Sequence, residues 1–221
     1  NDWANVGIIN ALNKVLNLGS PNVTLDITGA DAANALNVAA DARVDKVLLD
    51  PNLTDAQKII NLPFVVYLKN SSILSKLSGY LSLNVLGATG SDQIWAAASN
   101  LGVTSVSMAS GAVLSRDYLD YQSGAAIYNK ISNLDANIFE VTGASIDQAL
   151  SLGGVSLVDQ IVLSANPIQI WNADFSLWVS SSAAVAKISN LGSITVNITN
   201  VPLAQIFDLA GNSVIDSLTL K

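Results

Sequence analysis

The sequence predicts an α/β repeat solenoid, with parallel β-strands covered by short and long helices and about 55 residues in each repeat. Three observations carry that prediction. Lys14, Lys76, Lys130 and Lys187 stand 62, 54 and 57 residues apart, and each precedes a branched apolar residue: Val15, Leu77, Ile131 or Ile188. An alternating segment follows each time: VTLDIT (23–28), LSLNVL (81–86), NIFEVT (137–142) and ITVNIT (194–199). Next comes a residue suited to positive φ, Gly29, Gly87, Gly143 or Asn200. Self-similarity at such a period marks stacked units, none of which buries its apolar faces alone.

Each element has a local reason. The alternating segments combine a period of two with β-branched residues, which reads as strand. The Gly or Asn ends that strand or opens a helix. Three, seven and ten residues further on, small or apolar residues recur: Ala32, Gly90, Ile146 and Leu203; Leu36, Ile94, Leu150 and Phe207; Ala39, Ala97, Gly153 and Ala210. Those offsets share one helical face, so a short amphipathic helix is expected, with Phe207 and Trp95 in the core. A second strand follows 18 or 19 residues after the punctuation, at 45–50, 104–109, 159–164 and 216–221. Two strands joined by a helix imply a parallel crossover. A variable stretch then leads into a longer helix carrying the next lysine, as in VLSRDYLDYQSGAAIYNKI and IQIWNADFSLWVSSSAAVAKI.

The repeats fall at 23–80, 81–134, 135–191 and, in part, 192–221, after residues 1–22, which end a preceding repeat; all form one continuous domain. The chain starts inside a long helix (3–16) and stops just after a second strand. Either it belongs to a longer array, or its open end pairs with another copy, because terminal repeats need caps.

Composition narrows the function. Half the residues are hydrophobic and only 12% charged, against roughly a quarter in ordinary domains. Asn, Ser, Thr and Gly supply the polarity. A net charge of −7 and scattered Lys and Arg exclude nucleic-acid partners and membrane-surface attraction. With no Cys and no His, disulfides, thiol catalysis, thiolate metal sites and the Ser-His-Asp triad are excluded. No 18-residue apolar run is present, so no membrane insertion is expected.

The strand, the TGA turn, the Ala-rich short helix, VxxIxL and a second helix ending AxxAKIS together resemble the repeat regions of large secreted bacterial surface proteins: type I-secreted adhesins, repeats-in-toxin proteins and surface-layer-like chains. The resemblance spans residues 10–221. It implies an extracellular α/β scaffold with an adhesive, surface-layer or matrix role. The calcium-binding nonapeptide of Gly and Asp is absent, GATGSD (87–92) being a faint echo, so no calcium ligand carries over.

Candidate chemistry is sparse. No phosphate-cradling loop or nucleophile elbow is present. Asp117 with Asp120, and Asp208 with Asp216, are the best carboxylate pairs for glycoside hydrolysis, and solvated polar positions account for them. Asp45, Asp159 and Asp216 open second strands in register, with Thr104 as the exception. Stacked carboxylates of this kind could hold calcium, or each could serve as a turn or cap acceptor. Trp171, Phe175 and Trp178 fall at i, i+4 and i+7, one helical face, which could stack on sugar rings or fill the core. The recurrent lysine is expected at a helix C-terminus, offsetting the macrodipole. Sequons begin at Asn22, Asn52, Asn70 and Asn197, as chance gives in a chain of this composition.

The expected function is therefore a non-enzymatic, extracellular structural protein with no cofactor, acting as a self-associating scaffold. The alternative is a carbohydrate- or ligand-binding module of a bacterial adhesin, with Trp171, Phe175 and Trp178 as its platform.

Overall fold

The computed structural model describes residues 24–221. Lys14, the expected helix at 3–16 and the expected repeat end at 1–22 lie outside the described residues. The remainder is α/β: four small parallel sheets, each three strands wide, with helices between their strands. The chain divides into two units, one running to Ser110 and including Ile127–Ser132, the other made of Gly111–Ala126 and Asn133–Lys221.

In the first unit, β1 (Asp26–Ala30), α1 (Ala32–Ala39) and β2 (Lys46–Leu49) lead through a 3-10 turn to β3 (Ile59–Pro63) and α2 (Phe64–Asn70). A 3-10 segment (Ser71–Lys76) then gives β4 (Leu77–Ser78), β5 (Ser82–Ala88), α3 (Ser91–Ser99) and β6 (Ser105–Met108). The sheets are β1-β2-β4 and β3-β5-β6. Ile131 adds a parallel bridge to Val106 of β6. The second unit runs β7 (Val113–Asp117), α4 (Tyr118–Ser123), and then α5 (Ala125–Tyr128), which carries the chain into Ile127–Ser132. It resumes with β8 (Ile138–Ala144), α6 (Ile146–Leu152), β9 (Gln160–Leu163), β10 (Ile170–Asp174), α7 (Phe175–Ser180), α8 (Ser182–Lys187), β11 (Thr195–Val201), α9 (Ile206–Ala210) and β12 (Ser217–Leu220). Its sheets are β7-β8-β9 and β10-β11-β12, with Ile188 bridging Ile161.

Strand burial alternates. Leu83 and Val85 of β5, Phe139 and Val141 of β8, and Val196 and Ile198 of β11 are fully buried, while their neighbours are partly or wholly exposed. Burying a side chain such as Phe139 is worth about 1.5–3 kcal/mol. Parallel sheets are usually covered on both faces; here the second face carries Asn, Ser, Thr and Glu.

The expected first and second strands are present and parallel. The punctuation residues do take positive φ: Gly29 80°, Gly87 70°, Gly143 70° and Asn200 57°. They do not end the strands. Each sits in a bulge where the register shifts, and the strand continues to a buried Ala30, Ala88, Ala144 or Val201. The inserted residue lets that last side chain regain the core face.

The expected long helix is a strand followed by shorter helical pieces. IINLP, VLSRD and IWNAD form β3, β7 and β10. Ile60 and Leu62, Leu114, and Trp171 and Ala173 point to the core with a period of two. Each strand ends where the next helix is capped: Asp117 accepts from the Asp120 N–H at 2.7 Å, and Asp174 from the Leu177 N–H at 2.8 Å. At Pro63 the ring removes a ladder donor. The last short helix also differs from expectation, since Phe207 is 83% exposed and Leu203 69% exposed. No described element covers that face, whereas Ile94 and Ile146 are buried on α3 and α6.

Candidate functional site

The aspartates that open second strands act on backbone. Asp45 Oδ2 accepts from the Leu25 N–H at 2.8 Å, Asp159 Oδ2 from the Phe139 N–H at 2.8 Å, and Asp216 Oδ2 from the Val196 N–H at 2.7 Å. Thr104, the exception in the register, does the same with its hydroxyl: Oγ1 accepts from the Leu83 N–H at 3.1 Å. One short acceptor thus ties the start of each second strand to the first strand beside it. Among the described residues, no three acids come together as a metal group.

The lysines bind carbonyls in a preceding loop. Lys76 Nζ donates to Val44 O at 2.6 Å and Asp41 O at 3.3 Å, Lys130 Nζ to Asn100 O at 3.0 Å, and Lys187 Nζ to Val155 O at 2.7 Å. The following residue, Leu77, Ile131 or Ile188, then pairs with the second strand of the same sheet at Val47, Val106 or Ile161. Asn190 completes one contact with both arms of its amide: Oδ1 accepts from the Leu163 N–H at 2.7 Å and Nδ2 donates to Leu163 O at 3.0 Å. The lysine is therefore a clamp between segments about 30 residues apart, as well as a charge near a helix end.

A third recurring arrangement was missed in the sequence. Rows of polar side chains cross each of three sheets at one register: Asn61–Asn84–Ser105, Ser115–Glu140–Gln160 and Asn172–Asn197–Ser217. Asn84 Nδ2 donates to Asn61 Oδ1 at 2.9 Å, and Ser105 Oγ donates to Asn84 Oδ1 at 2.8 Å. Asn197 Nδ2 donates to Asn172 Oδ1 at 2.8 Å, and Ser217 Oγ donates to Asn197 Oδ1 at 2.6 Å. Ser115 Oγ reaches Glu140 Oε1 at 2.7 Å. The signal lay in the polar centre of each five- to seven-residue strand, legible only once β3, β7 and β10 are placed. Such rows offer a mostly neutral hydrogen-bonding face and no activated nucleophile.

The three aromatics do not share a helical face. Trp171 lies in β10 and is only 4% exposed, while Phe175 and Trp178 lie on α7 and are half-buried. The change from strand to helix at Asp174 resets the phase, so spacing counted through it has no helical meaning. Trp171 and Trp178 still meet, with ring centroids 5.4 Å apart and tilted 35°. Trp178 also borders a hollow of about 340 Å³ with Val179, Ser182, Val185 and Ala186.

The carboxylate pairs are occupied structurally. Asp117 caps α4, and Asp120 stands 3.7 Å from the Arg116 guanidinium. Asp216 holds the Val196 amide, and Asp208 lies in the first turn of α9. The larger hollow, about 450 Å³, has Asp31 as the one acid among its lining residues, and that side chain caps α1 through the Asn34 N–H. Asp41 is held down to about 2 by the hydrogen bond from the Arg43 side chain. Asp174 is lowered by the Ser176 hydroxyl and the Leu177 amide. No helix among the described residues is long and apolar enough to cross a membrane. No protein-family model, curated protein or solved structure matches the chain.

Proposed function

We propose that this chain is a non-enzymatic building block of an extracellular bacterial surface assembly, in keeping with its resemblance to repeats of secreted surface proteins. Its units stack as a rigid solenoid of about 55-residue repeats, and copies associate with one another. The observation that carries the reading is the recurrence of one backbone clamp: Lys76, Lys130 and Lys187 on preceding carbonyls, each followed by a residue paired to the second strand. The polar rows and the aspartate caps repeat with it. Polar side chains are thus committed to holding strands, and low charge keeps self-repulsion weak at close packing. Light scattering over a protein concentration series, with and without millimolar calcium, tests the reading. Concentration-dependent growth is the expected result, and a requirement for calcium would assign the cation to the assembly. A monomer throughout would overturn it.

A second reading, a glycan-binding module, is favoured by the half-buried Trp178 ring beside its hollow and by the hydrogen-bonding rows. Tryptophan fluorescence titrated with surface polysaccharides separates the two readings, since only the module gives saturable quenching.

A further inference from the structure

We infer that the outer edge of β12 and the exposed face of α9 receive residues 14–20 of a second copy of this chain, joining copies head to tail. The inference rests on the self-association proposed above and assigns its contact. Leu218 of β12 pairs inward with Ile198, as Val47, Val106 and Ile161 pair with Ile27, Val85 and Val141. Those three residues are also paired outward, by Leu77, Ile131 and Ile188. β12 instead ends its sheet.

The loop before β12 is built to receive a lysine. Six residues before Val106 and Ile161 lie Asn100 and Val155, whose carbonyls take Lys130 and Lys187, and six before Val47 lies Asp41, which takes Lys76. The counterpart before Leu218 is Asn212. Its Oδ1 accepts from the Val214 N–H at 3.2 Å, the same turn that Asn100 makes with Gly102 at 2.9 Å and Asp41 with Arg43 at 3.0 Å.

The occupant is identified by sequence. Lys187-Ile188-x-Asn190-Leu191-Gly192-Ser193, the stretch that closes β9, recurs with the same spacing as Lys14-Val15-x-Asn17-Leu18-Gly19-Ser20. Seated on β12, Val15 faces Leu218, Lys14 reaches the Asn212 carbonyl, and the Asn17 amide takes the Leu220 main chain as Asn190 takes that of Leu163. The same docking covers Phe207 and Leu203, whose exposure is otherwise without a counterpart on α3 or α6.

The chain has no cysteine, so single thiols report pairing directly. V15C and L218C variants of the full chain, mixed and oxidised with diamide, are expected to give a crosslinked mixed dimer, because paired residues on adjacent strands lie within disulfide reach. Adding K14M and N17A to the V15C chain lowers that yield, and F207S on the L218C chain does the same. L218C dimers without mixed dimers mean tail-to-tail contact and overturn the inference. Assembly by light scattering without any mixed crosslink overturns the docking and leaves the structural reading standing. A monomer at every concentration removes both.

Discussion

Gly153 lies so close to Ala184 that an added Cβ would sit 2.3 Å from the Ala184 Cβ and 2.7 Å from its Cα. α6 and α8 therefore pack backbone to backbone, at the point where the Lys187 segment returns to its sheet. A G153A variant is expected to lose about 1–3 kcal/mol, because the obstructing atoms include main chain and cannot swing away. G154A, with nothing within 4 Å of its Cβ position, should be near neutral. Urea denaturation of both checks the pair.

The aspartate caps separate a structural role from a metal role. D159A removes the acceptor for the Phe139 N–H and should cost about 1–2 kcal/mol. D159T should retain most of the stability, since Thr104 fills the same place for Leu83. If calcium is held by these carboxylates, D159T instead loses any calcium-induced rise in Tm. Thermal melts of both variants with and without calcium decide the matter.

Asn137 is buried, with its Nδ2 on Asn133 O at 2.9 Å and its Oδ1 without a partner. At the same place before β11 stands Ile194, also buried. N137I should stabilise the protein by about 1 kcal/mol, by removing an unpaired buried oxygen. Asn133 O retains the Ala136 N–H, so no new orphan results. A rise in the denaturation midpoint at unchanged slope is the expected outcome.

Asp41 gives the acid side of the stability curve a specific component. Its carboxyl is depressed to about 2 by the Arg43 hydrogen bond. A depressed folded pKa adds stability above the unfolded value of about 3.9, and that stability is lost as pH falls through the folded value. Screening of a surface pair limits the contribution to roughly 1 kcal/mol. D41N should lower Tm at pH 7 and flatten its fall between about pH 4 and pH 2.

Parallel first and second strands were legible because their alternation is long, and because four residues tolerant of positive φ mark their bulges. β3, β7 and β10 were not. Five residues of alternation run directly into an aromatic helix start, Phe64, Tyr118 or Phe175, and the combined apolar spacing imitates a helical period. Asp117 and Asp174 were visible as acids, and Pro63 as a breaker, yet nothing local says that they divide a strand from a helix. The reach of Lys187 to Val155 is a tertiary fact, 32 residues in span, that only its regular recurrence hinted at. Phe207 was misplaced because helical offset predicts which face is apolar, and never whether a neighbour covers it.

Sheet order and chain order do not coincide. β4 closes the sheet begun by β1 after β3 has already opened the next, and Ile131 and Ile188 reach back to β6 and β9 in the same way. Synthesis from the N-terminus therefore lays down this protein as a running stitch, in which each seam is fastened by thread from the one after it. Interruption anywhere leaves a single loose seam, and the freshest part of the growing chain is always the part still seeking its closing strand.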